Sequence, residues 1–223
     1  MQKNTILFNE FLDKASLKQE VYKQGLEALQ RFEKANEKLV KSFGKYKDSR
    51  VEDIPVQLSK IGQFEVRIRF AGDIAVFLMH SNVFVFPDKH PIYRVPYIAE
   101  DKSRAYFSVI SIYNFLNDSF KYNRLNDVGH LIARIFVNKD MHYFVESKDL
   151  ALQSFPLISK TVLNDKNAFT MVNDVVKYIV DFDLHVPSLP FVENILVNNV
   201  VEQAKQLPTS KRLGFKFQDE LEG

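Results

Sequence analysis

Three histidines, His80, His130 and His142, fall in segments that read as β-strands, and imidazole is the one side chain that ordinarily titrates near neutral pH. If a sheet brought the three to one face, one could move a proton, Asp73 or Glu146 could orient another, and Arg67 with Arg69 could hold an anion. That constellation would suit hydrolysis of a phosphorylated or nucleotide-like substrate, so the three histidines are the candidate catalytic residues. Period-two geometry sets His80 beside Val76 and Leu78, His130 beside Val128 and Ile132, and His142 beside Phe144 and Glu146. Histidines on such faces are more often packed into a core than used as ligands. Neither an HxH nor an HExxH spacing occurs, so no metal site is assigned.

A second set of residues suits binding rather than catalysis. The connection 87–104 carries Tyr93, Arg94, Tyr97 and Arg104, stiffened by Pro91 and Pro96. Connections longer than about 12 residues are uncommon in compact domains unless they serve a function. Interleaved tyrosine and arginine can anchor a protein partner, or stack on a base and hold its phosphate. Arg67 and Arg69 form a polar stripe that would suit an acidic or anionic partner, or would protect a sheet edge from aggregation. The functional expectation is a cytoplasmic binding or interaction module without catalysis, its partner a protein or an anionic small molecule. The alternatives are the histidine-centred hydrolase and a nucleic-acid binder that uses the Tyr/Arg loop and the lysines after Phe43.

Composition removes several classes. The chain has no cysteine, so disulfides, thiolate nucleophiles and cysteine-held zinc or iron are excluded. Its 7 glycines make no P-loop, G-x-G-x-x-G or G-x-S-x-G element. The polar segment 117–127 (NDSFKYNRLND) lacks the glycine and distal glutamate of a calcium loop. No cofactor is implied. A net charge of +2 neither requires nor excludes nucleic acid. The N-terminal apolar run, Ile6 to Phe8, is too short for a secretory signal, and no run approaches a membrane span. The expectation is a cytoplasmic protein without a membrane partner.

These side chains need a frame. Alternation in FEVRIRF puts Phe64, Val66, Ile68 and Phe70 on one face and Glu65, Arg67 and Arg69 on the other, as in a half-buried strand near an edge. Ala71-Gly72-Asp73 reads as a turn that uses glycine's freedom, and His80-Ser81-Asn82 as a second turn into a separate strand, VFVF. AYFSVISIYNFL, VGHLIARIFV and MHYFVE follow. Short connections favour antiparallel neighbours, which gives an α+β fold: a meander of about six strands over 63–146, packed by an N-terminal helix and two or three C-terminal helices.

Ser16-Leu17-Lys18-Gln19 fits a capping box and starts that first helix at Ser16; Gly44 ends it. Its stripe Tyr22, Gly25, Leu29, Phe32, Asn36 could instead be a dimerising coiled coil, so a homodimer is possible. Residues 45–60 read as a solvated connection rather than a basic nucleic-acid arm. Asp165 begins a helix running to near His185, and 190–207 reads as another with Val192, Leu196, Val200 and Ala204 on one face. Leu213, Phe215 and Phe217 could add an edge strand. The whole is expected to be a single domain: lead-in 1–62, sheet 63–146, helical cap 147–208 and tail 209–223.

Overall fold

The computed structural model describes residues 2–147 and 155–183. Its centre is a six-stranded antiparallel sheet in which each strand pairs with the next in sequence. The strands are β1 (Val56–Ile61), β2 (Glu65–Phe70), β3 (Asp73–Phe84), β4 (Phe107–Leu116), β5 (His130–Val137) and β6 (Tyr143–Glu146). Helix α1 (Gln2–Phe43) and helix α4 (Asp165–Asp181) are the long helices, with short helices α2 (Pro96–Glu100) and α3 (Asn117–Lys121) between strands. The α+β class and the antiparallel meander are as the sequence implies. The expected helix 190–207 and the strand at Leu213 to Phe217 lie outside the described residues, whereas the helix expected to run to near His185 ends earlier, at Asp181, where Phe182 turns extended.

The strand count is right by two compensating differences. VFVF is no separate strand: β3 runs through His80-Ser81-Asn82 to Phe84 and absorbs the polar residues in a bulge between Met79 and Val83. An irregularity of this kind keeps a strand paired while bending it, so polarity alone mimics a turn. β1, in contrast, lies within the segment read as a solvated connection. Its alternation is faint because its core-facing row, Val56, Leu58 and Lys60, contains a lysine, opposite Phe70, Ile68 and Val66. β1 is the edge, so Arg67 and Arg69 on β2 are one strand in from it. At the β2–β3 turn the positive φ of 48° belongs to Ala71, not Gly72.

Side chains of successive residues point to opposite faces, and the two faces have different cover. On one, α1 and α4 close a core of Val66, Ile68, Phe77, Ile110, Ile112, Ile135 and Val145 with Leu29, Phe32 and Val172. Phe32 meets Phe77 at 5.5 Å between ring centroids. Gly25 lets α1 approach: a Cβ there would stand 2.0 Å from the Ser108 Oγ. Asn36 is buried in this interface and donates to the Phe32 carbonyl at 2.8 Å. The stripe offered above as a coiled-coil seam is therefore used against the chain's own sheet. On the other face, the 87–106 connection, through Ile92 and Ile98, and the short turn Phe155–Lys160, through Ile158, seal Phe107, Val109, Phe136 and Phe144. Phe136 and Phe144 stack at 4.6 Å, with Phe86 5.3 Å from Phe136.

Helix α1 does not start at Ser16. It begins fourteen residues earlier and runs unbroken through the capping box. At 1.5 Å per residue its 42 residues span about 63 Å, and its first half extends past the sheet. Residues 4–14 are exposed throughout, and the first fully buried residue is Val21.

Candidate functional site

The three histidines do not converge. His130 pairs with Asn114 at the start of β5, and its ring stacks 5.8 Å from both Tyr178 and Phe182 on the α4 side. His142 lies beyond the other end of β5, about 25 Å along an eight-residue strand. His80 is exposed at the β3 bulge, edge-on to Phe84 at 4.6 Å, and its Nδ1 accepts from the Asn82 amide. Proton relay needs hydrogen-bond reach or one intervening water, so the histidine-centred hydrolase loses its geometric basis. Among the described residues no cluster of three histidine or carboxylate groups could hold a metal ion.

The structure does assemble part of the second set, together with His142. Tyr97, held at the first turn of α2, donates its hydroxyl to Asp140 at 2.8 Å and accepts from Asn138 at 3.2 Å. Its ring has His142 stacked against it at 4.7 Å and the Arg104 guanidinium over it at 4.3 Å. Arg104 also donates to the Tyr97 carbonyl at 2.9 Å and pairs with Asp140 at 3.3 Å. Lys139 completes the group, 3.3 Å from Asp101 and 3.5 Å from Asp140. Buried Asn138 ties the parts together: its amide donates to Tyr97 and to the Arg104 carbonyl, while its oxygen accepts from the amides of Asp140 and His142.

The electrostatics of this cluster are those of a clamp. Burial, with the adjacent Asp140 adding to it, pushes the Tyr97 hydroxyl up to about 12, so it is a donor and never a base at neutral pH. Hydrogen bonds from the Ser103 hydroxyl and amide, helped by Lys139, hold the Asp101 carboxyl at about 2. Arg104 and Lys139 share Glu100, Asp101 and Asp140, so neither cation is left for an incoming anion. His142 donates Nδ1–H to the Ile158 carbonyl at 2.7 Å, which fixes its ring but brings no nucleophile near it. The network docks the 87–106 connection onto the β5–β6 hairpin.

The remaining candidates are also internally engaged, except one. Tyr93 donates its hydroxyl to the Phe86 carbonyl at 2.7 Å. Arg67 pairs with Glu65 and lies 4.2 Å over the Phe120 ring; Arg69 donates to the Ala71 carbonyl at 3.3 Å. Arg94 alone points outward from the loop.

A surface outside all these candidates is more open. Leu7, Phe8, Phe11 and Leu12, on the projecting half of α1, are 60%, 60%, 66% and 57% exposed. Their i, i+1, i+4, i+5 spacing puts them on one helix face with Ala15, and that face continues into Tyr22 and Leu26 at the core. The spacing was present in the sequence, but a helix starting at Ser16 leaves Ile6 to Leu12 without a helical frame. Compared with known protein families, curated proteins and solved structures, the chain matches none.

Proposed function

We propose that this chain is a non-catalytic binding module that pairs with a second copy of itself through the projecting half of α1. The observation that carries this reading is the exposed row Leu7, Phe8, Phe11 and Leu12. A Phe side chain offers about 150–250 Å². Four large apolar side chains more than half exposed therefore present roughly 400–500 Å² per arm, near the upper size of patch that a monomer tolerates. Two arms packed together would bury on the order of 1,000 Å², the lower bound for a specific interface. The arm continues a helix already nucleated by the packed half of α1 and gains nothing from the chain's own core, so a partner along this face would supply the packing that most helical stability rests on.

The absence of catalysis rests on the dispersal of the histidines and on the charge balance of the Tyr97–Arg104 cluster. The loop 87–104 supports binding less than its composition implies, because Tyr93, Tyr97 and Arg104 hold it down. Sedimentation equilibrium tests the reading. The full chain is expected to show a monomer–dimer equilibrium at about micromolar concentration, as for interfaces of this size, and Phe8→Asp/Phe11→Asp to be monomeric with unchanged circular dichroism. A monomeric parent chain overturns it.

A further inference from the structure

Beyond that reading, the far end of α1 carries a second surface of different chemistry. Lys34, Lys38, Lys41 and Lys45 line an open hollow of about 350 Å³, shared with Glu37 and Ser42. Residues 34, 38 and 41 follow the i, i+4, i+7 spacing, so the first three ammonium groups lie along one face over about 10 Å of helix axis, and Lys45 extends the line past the helix end. Lys41 has only a 3.7 Å contact to exposed Glu37, and Lys38 sits over the Phe169 ring at 4.3 Å. Neither Lys34 nor Lys45 has a carboxylate partner among the described residues. The Ser42 hydroxyl is spent on the Lys38 carbonyl at 2.8 Å.

Lysines near a helix C-terminus are favoured by its partial negative charge, which accounts for one or two. It does not account for a stretch, 34–50, with six basic residues against two acidic ones in a chain whose net charge is only +2. Immediately after Lys45 comes Tyr46, 67% exposed, and then Lys47. An exposed aromatic ring between two cations is what an unpaired base needs for stacking.

We propose that the Lys34–Lys38–Lys41–Lys45 hollow and Tyr46 bind a single strand of nucleic acid, the lysines tracking its phosphates and Tyr46 stacking on a base. The row of cations suits the phosphates of either form, and the exposed ring selects the single strand, because only an unpaired base can stack on it. Base stacking on an aromatic residue is tolerant of sequence, so the site is expected to hold a strand without reading it.

The test is fluorescence anisotropy of a labelled 15-nucleotide oligothymidylate with the full chain. Four phosphate contacts at about −0.7 each in log–log slope predict an affinity about 50-fold weaker at 200 mM than at 50 mM salt. Lys34→Gln/Lys41→Gln/Lys45→Gln, all at exposed positions, should weaken binding at least tenfold and flatten the salt dependence. Tyr46→Ala should weaken it about tenfold with the slope unchanged. Lack of binding at 50 mM salt, binding unaffected by the triple variant, binding unaffected by Tyr46→Ala, or a duplex held as tightly as the single strand would each overturn the proposal.

Discussion

Asp101 shows how much one side chain settles in the loop that covers the sheet. Ser103 gives it two hydrogen bonds, 2.6 Å from the hydroxyl and 2.9 Å from the amide, and Lys139 lies 3.3 Å away. Its carboxyl is therefore held at about 2 in the folded chain, against about 3.9 when unfolded. A depressed folded value contributes stability that is fully present above about pH 4 and is lost as pH falls towards 2. Urea unfolding should accordingly find the parent chain more stable than Asp101→Asn above pH 4, with the two curves converging towards pH 2; a pH-independent gap would mean that the carboxylate charge is immaterial. Residue types made Tyr97 and Arg104 legible as special. Composition could not reveal that Asp101, Asp140 and Lys139 neutralise them, because those contacts join segments about 40 residues apart.

At the scale of elements, Gly25 separates local propensity from packing. Inside a helix, alanine is favoured over glycine by about 1 kcal/mol, so the sequence alone makes Gly25→Ala stabilising. The structure reverses the sign, since a Cβ there would meet the Ser108 Cβ at 2.6 Å and the Met79 Cε at 2.7 Å. Pushing α1 off the sheet should cost about 1–3 kcal/mol, the usual range for overpacking, and chemical denaturation of Gly25→Ala should show a lowered midpoint. A raised midpoint would mean that the close approach of α1 to β4 is wrong. β2, β4, β5 and β6 were legible because their alternation is clean or their apolar runs are long. β1 was obscured by Lys60, which reaches back to Glu33 at 2.7 Å, and the β3 bulge by three polar residues in a row. The start of α1 was obscured by a Ser16–Gln19 pattern that resembles a cap yet lies mid-helix.

For the molecule as a whole, the sheet's two faces are covered unequally in kind, one by long helices and one by a stapled connection, and the two ends of α1 are left over. Its apolar end is assigned here to self-pairing and its basic end to a nucleic-acid strand. The apolar end was not legible as a site, and the basic end only in part, through the lysines after Phe43, because a surface is defined by what the fold leaves uncovered, and that emerges only once Phe32, Asn36 and Leu29 are seen to be consumed by the core. Hydrogen–deuterium exchange of residues 4–19, followed over a range of protein concentrations, tests the central claim most directly. Pairing with a second copy predicts slow exchange at high concentration that becomes fast on dilution, and fast exchange at every concentration in Phe8→Asp/Phe11→Asp. Fast exchange in the parent chain at all concentrations, or protection that does not depend on concentration, would contradict it.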